Sequence, residues 1–206
     1  MRRTARPQPY LFMNRKRGNM KRIVIGIVGA VLCLSSAMAG VEDALEIRNL
    51  TGVSGKKYVS AAGGVKAGMK QYIDRDYIFD YIPGFLQGAT HILTAGNDKF
   101  IEEDKPCLSF EVNVPVTVYI VYGDKLRVLP CWLKEYENTR WKITRKDSNT
   151  TTLKGIFSLF SKDFPAGKIT LNGNLSKAMA DDPEFKKMKG GTFCMYTVAV
   201  MPKGRL

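Results

Sequence analysis

The sequence predicts an all-β protein, an antiparallel β-sandwich or jelly roll with one short helix near the C-terminus. From Leu45 to Pro202 it runs as short β-branched and aromatic segments separated by Gly, Asn, Asp and Pro, the composition of strands and turns. Several segments alternate apolar and polar residues, which places one set of side chains on a buried face. The punctuation recurs about every 8–12 residues, the rhythm of two packed antiparallel sheets.

Taken in order, the expected strands are Leu45–Leu50, Tyr58–Ala61, Lys70–Asp74, Tyr77–Ile82, His91–Thr94, Leu108–Asn113, Val116–Tyr122, Trp141–Arg145, Gly155–Ser161, Lys168–Asn172 and Thr192–Met201. Leu108, Phe110 and Val112 alternate with Ser109, Glu111 and Asn113; Val116, Val118 and Ile120 alternate with Thr117, Tyr119 and Val121. Each of these two strands is therefore expected to bury one face. Asn113-Val114-Pro115 between them is too short for a crossover helix, which leaves a tight antiparallel pair or one long strand bent at Pro115. The helix is expected at Asp182-Pro183, where Asp182 can cap and Pro183 suits the first turn, with Gly190 to end it. Lys186, Lys187 and Lys189 then fall in the last turn, where cations oppose the negative helix end.

Before this domain stands a basic leader. Lys21-Arg22, the 12 apolar residues Ile23 to Leu34 and Ala37-Met38-Ala39 form the three parts of a secretory signal peptide. The apolar stretch is shorter than the ~20 residues a spanning helix needs, so no retained membrane span is expected. Leu32 before Cys33 does not suit a lipoprotein site, and Arg2-Arg3 lacks the pattern of a twin-arginine signal. Met20 is the expected start and Ala39 the last residue removed, with residues 40–206 forming a single β-sandwich domain that is periplasmic, cell-surface or extracellular. The charge of +13 is largely a property of this leader: 8 of the 32 Lys and Arg precede Gly40 and none of the 19 acids does. That leaves 24 against 19, a charge of +5, dispersed among acids. No nucleic-acid partner is expected from such a surface.

Three cysteines follow the leader, Cys107, Cys131 and Cys194, so at most one intrachain disulfide can form. Cys107 with Cys194 is the preferred pair because both lie in strand patterns that could be neighbours; three reduced cysteines are the equal alternative. No cysteine spacing suits zinc, and His91 is the only histidine. His91 has no Ser or Cys signature beside it, so it is expected to be structural. No phosphate-binding glycine loop occurs. Asp74 with Asp76, Asp98, and Glu102-Glu103-Asp104 could serve glycan hydrolysis or hold Ca²⁺. Arg75 and nearby lysines make local ion pairs the simpler reading, and neither a catalytic pair nor any cofactor is assigned; no motif supports Ca²⁺.

Aromatic residues offer the remaining chemistry, because the apolar face of a sugar ring stacks on Trp and Tyr. Trp132, Tyr136 and Trp141 lie in one loop-rich stretch. Trp132, between Cys131 and Leu133, reads as a core residue; Tyr136 and Trp141, surrounded by charges, read as exposed and are the favoured ligand contacts, with Trp132 a third.

Three stretches together resemble a β-sandwich-like domain of bacterial exported proteins that accompanies polysaccharide-degrading enzymes. They are Tyr72–Tyr77 with Gly88-Ala89-Thr90, Ser109-Phe110 through Pro115–Tyr119, and Phe157–Gly167. Leu129-Pro130-x-Trp132-Leu133 and Met195–Val200 follow the same pattern, and the charged segment Asp181–Gly191 departs from it. The resemblance implies an accessory, non-catalytic domain near carbohydrate and carries no site residue. The expected function is an exported, non-enzymatic recognition module for a polysaccharide. The alternatives are an envelope protein that binds another protein, or a carboxylate-based glycan hydrolase or lyase.

Overall fold

The apolar runs pair antiparallel into two sheets in the computed structural model, which describes residues 44–187 and 193–204. The leader, its signal peptide and the expected helix end at Lys189 and Gly190 lie outside the described residues. The strands are β1 (Ile47–Gly52), β2 (Val59–Ala61), β3 (Tyr77–Tyr81), β4 (Thr90–Leu93), β5 (Pro106–Val112), β6 (Val116–Gly123), β7 (Glu137–Asp147), β8 (Leu153–Phe164), β9 (Gly167–Asn172) and β10 (Thr197–Pro202). The smaller sheet has the order β1-β5-β9 and the larger β2-β4-β10-β6-β8-β7-β3. The all-β sandwich expectation therefore holds.

The link between β5 and β6 is a change of sheet. β5 pairs with β1 and β9, whereas β6 pairs with β10 and β8. The tight-pair alternative is thereby excluded, and the bend falls at Pro115, which has no N–H to give to a ladder. A second corner follows β8, where Gly167 at φ +129° opens β9 and returns the chain to the smaller sheet; a Cβ is strained at that angle.

Between the sheets, Leu108, Phe110 and Val112 of β5 and Ile169 and Leu171 of β9 pack with Val118 and Ile120 of β6 and Val198 and Val200 of β10. The opposite face of the larger sheet is also covered. Tyr119, Val121, Ala199, Phe157 and Ile143 pack beneath Val65, Ile82, Leu86 and Ala89. β6 is consequently buried on both faces, which corrects the expectation of one. The covering residues flank β3 and are bonded to each other through Val65 N to Ala89 O at 3.2 Å and Gly88 N to Val65 O at 2.9 Å.

Lys70–Asp74 forms isolated bridges, Lys70 to Ile78 and Tyr72 to Thr94, instead of the expected strand. The expected helix is present as α2 (Pro183–Lys187), with Asp182 Oδ1 accepting from Glu184 N at 2.8 Å. It is preceded by α1 (Lys177–Asp181), which Ser176 caps by accepting from Met179 N at 3.3 Å. Ser176 and Asp182 satisfy amides that a helix start leaves open. Met179 and Phe185 fix both turns to the core.

Candidate functional site

Trp141 is 51% exposed and owes its position to an irregular stretch of β7. Asn138 pairs with Phe160 and Lys142 with Ser158, so Thr139, Arg140 and Trp141 stand opposite Leu159 alone. Such a bulge re-aims side chains away from the regular alternation. Arg140 takes φ +63°, a left-handed conformation uncommon outside glycine. Local bonds hold it: Arg140 N donates to Asn138 Oδ1 at 2.9 Å, Trp141 N to Thr139 Oγ1 at 3.3 Å, and Thr139 Oγ1 to Leu159 O at 2.8 Å.

The Trp141 ring rests 5.7 Å from the ring of Phe85, and Phe85 lies 5.9 Å from Tyr119. Phe85 also forms part of the wall of an open groove of about 980 Å³, together with Gln87, Thr90, Met201 and Lys203. The groove thus has an aromatic rim and a few hydrogen-bonding groups, the combination that suits a polyhydroxylated ring. Near it, Thr117 and Lys203 hold the Asp163 carboxyl below its ordinary value by donating at 2.7 Å and pairing at 3.0 Å. Sequence reading missed Phe85, whose only signal is its place in an apolar run, Ile82 to Leu86, that reads as core.

Tyr136 is 8% exposed, which corrects its assignment as an exposed contact. Tyr136 follows a 3-10 turn, Cys131–Glu135, and turns inward where that turn meets β7, while its charged neighbours Glu135 and Glu137 stay exposed. Its ring packs 5.6 Å from Trp132 and 6.2 Å from Phe164, and burial raises the pKa of its phenol. Trp132 is half-buried, lies 5.6 Å from the ring of Tyr196, and donates through Nε1 to Gly173 O at 2.9 Å. Of the three aromatics singled out, Trp141 alone is exposed.

Cys107, Cys131 and Cys194 are free thiols, so the Cys107–Cys194 bridge is not formed. Cys107 is buried on β5, 3.8 Å from Tyr58 Oη, and burial pushes its thiol up to about 11. His91 is buried on β4, with Nε2 2.6 Å from Thr197 Oγ1. The acids are engaged locally. Asp74 accepts from Gly96 N at 2.6 Å, Asp76 from Lys70 at 2.9 Å, and Glu103 from the amides of Lys177 and Cys131. Asp98 accepts from Ser54, Lys56 and Tyr58, each at 2.6 Å. Among the described residues no acid lines the groove, and no group of three His, Cys, Asp or Glu converges as metal ligands would.

No family model and no curated protein matches the chain. Among solved structures it is similar to a β-glucuronidase from glycoside hydrolase family 2, with a TM-score of 0.60 and 23% identity over 76% of this chain and 14% of that one. A glycoside hydrolase family 138 enzyme targeting pectin rhamnogalacturonan II also matches, with a TM-score of 0.38 and 19% identity over 63% of this chain and 15% of that one. The chain spans about one seventh of the β-glucuronidase. The β-glucuronidase likeness shows a shared β-sandwich fold. The expectation of a chain without enzymatic function is corrected by the β-glucuronidase, a glycoside hydrolase that shares this fold over 14% of its length.

Proposed function

We propose that this domain binds a carbohydrate by stacking a sugar ring on Trp141, with Phe85 behind it and the adjoining groove taking the next residues of the chain. The observation that carries the reading is the half-exposed Trp141, held outward by three local hydrogen bonds on a bulge of β7. Burying an indole face against a ligand recovers apolar surface that is otherwise left in water. The β-glucuronidase likeness adds a carbohydrate context, and the leader segment supports work outside the cytoplasm, where polysaccharides are found.

Retention on insoluble cellulose, chitin, xylan and gelled pectin tests this. The chain is expected to be retained on at least one of them, and Trp141→Ala to weaken that retention by about tenfold or more, the loss typical of a central aromatic contact. Passage of the wild type through all four, or equal retention of wild type and Trp141→Ala/Phe85→Ala, would overturn it.

A further inference from the structure

A second cavity, of about 330 Å³, opens between Tyr72, Tyr77, Phe100 and three cations, Arg75, Lys99 and Arg145. It shares no lining residue with the groove. Its walls come from residues just after β4 and just before β10, whereas those of the groove come from the start of β4 and the end of β10.

Arg145 on β7 is 4% exposed. Its guanidinium carbon lies 4.1 Å from the ring centroid of Tyr77 and 5.2 Å from that of Phe157. Nη1 donates to Tyr72 Oη at 3.4 Å, and Tyr72 in turn donates to Met195 O at 2.6 Å. Nε is buried and has no partner among the described residues. β8 leaves space for it at Gly155, where a Cβ would stand 3.1 Å from Nε. Among the described residues no carboxylate pairs with this cation. The nearby acids are taken: Asp74 by Arg75 at 3.6 Å, Asp80 by Lys146 at 3.0 Å, and Asp147 by Lys154 at 3.1 Å.

Lys99 is 8% exposed and equally without a carboxylate; its Nζ reaches Phe193 O at 3.2 Å and lies 4.8 Å from the Phe193 ring. Burial lowers its pKa, and the charges of Arg75 and Arg145 push the same way. A lysine can answer such surroundings by losing its proton, but an arginine cannot. An aromatic face attracts the guanidinium yet offers its N–H groups no ordinary acceptor. The buried charge of Arg145 is therefore unbalanced within the described protein, an unfavourable state that an anion entering the cavity relieves.

We propose that this cavity is an anion subsite for the carboxylate of an acidic sugar, a uronate residue, a specificity that rests on the glycan-binding reading above. The planar fork of Arg145 suits two carboxylate oxygens, Lys99 supplies a point charge, and the exposed Phe100 offers a face to the sugar ring. The volume is near the lower end of ligand pockets, which run to about 300–1,000 Å³, and suits a single ring.

Calorimetric titration of the intact chain with glucuronate- and galacturonate-containing oligosaccharides, against their neutral counterparts and inorganic sulfate, tests the assignment. The acidic oligosaccharides are expected to bind about tenfold tighter than the neutral ones, the worth of a charge-assisted hydrogen bond. Arg145→Met and Lys99→Met should each abolish that preference. Arg75→Gln, at a side chain 38% exposed and so safe for folding, should reduce it severalfold. Trp141→Ala should lower the affinity for both sugar classes and leave the ratio unchanged. Equal affinity for acidic and neutral sugars, or an intact preference in Arg75→Gln and Lys99→Met proteins that melt like wild type, overturns the subsite while leaving glycan binding in place. Sulfate bound as tightly as the uronates overturns the sugar assignment, and no binding of any oligosaccharide overturns both readings.

Discussion

His91 shows how a single buried group ties sequence to stability. It sits 5.1 Å from the Phe79 ring and is bonded to Thr197, and burial depresses its pKa from 6.5 to about 3. In the unfolded chain the imidazole takes up a proton as the pH falls through 6.5, whereas in the folded protein it stays neutral until about 3. Stability from this residue is therefore complete above the unfolded value and is lost as the pH drops through that window. At pH 5 the loss is about 2 kcal/mol. Asp98 acts only lower. Burial tends to raise its carboxyl, but hydrogen bonds from Lys56, Ser54 and Tyr58 outweigh burial and hold it below 3.8. Urea unfolding at pH 7 and pH 5 should show the drop in wild type, and His91→Gln, which retains a partner for Thr197, should remove most of it. An equal drop in the variant would place the acid sensitivity elsewhere.

Among elements, β7 separates what was legible in the sequence from what was not. Ile143 and Arg145 of β7 follow the alternation that predicted a strand, but its start at Glu137 was hidden because the bulge at Thr139–Trp141 breaks the period. The error over Tyr136 has a different cause: it sits at the junction of the 3-10 turn Cys131–Glu135 and β7, where the chain changes direction and charged neighbours say nothing of the residue between them. Trp141 escaped that error because the bulge sets Arg140, Trp141 and Lys142 all outward. Lys70–Asp74 has strand-like residues but finds only single bridges, since pairing is decided by what lies alongside. At the bulge, Arg140 holds a left-handed conformation that glycine adopts without strain. Arg140→Gly is thus expected to stabilise the protein by about 0.5–1 kcal/mol, measured by denaturant unfolding, with Trp141 still exposed to quencher. A loss of stability would mean that the Arg140 side chain has a structural contact that outweighs its backbone strain.

Over the whole molecule, the sequence announced the sandwich because hydrophobic period is a local signal, but it could not announce that the larger sheet is covered twice. That cover comes from Val65 and from Ile82 to Ala89 on either side of β3, apolar residues beside the two strands expected at Lys70–Asp74 and Tyr77–Ile82 that pack against β6 and β10. The cover also creates the candidate site, since it brings Phe85 beneath Trp141 from 56 positions away. Likewise Lys99, which follows β4, and Arg145, on β7, are scattered charges along the chain and come together only as walls of the second cavity. The central claim is that the exposed face of Trp141 is where sugar is held. Trp132→Phe leaves Trp141 as the single tryptophan of the chain, so its fluorescence can be titrated with soluble oligosaccharides of cellulose, chitin, xylan and pectin. A saturable blue shift with protection from acrylamide, by at least one of these sugars, is the expected result; binding detected by calorimetry with unchanged Trp141 emission and quenching would contradict it.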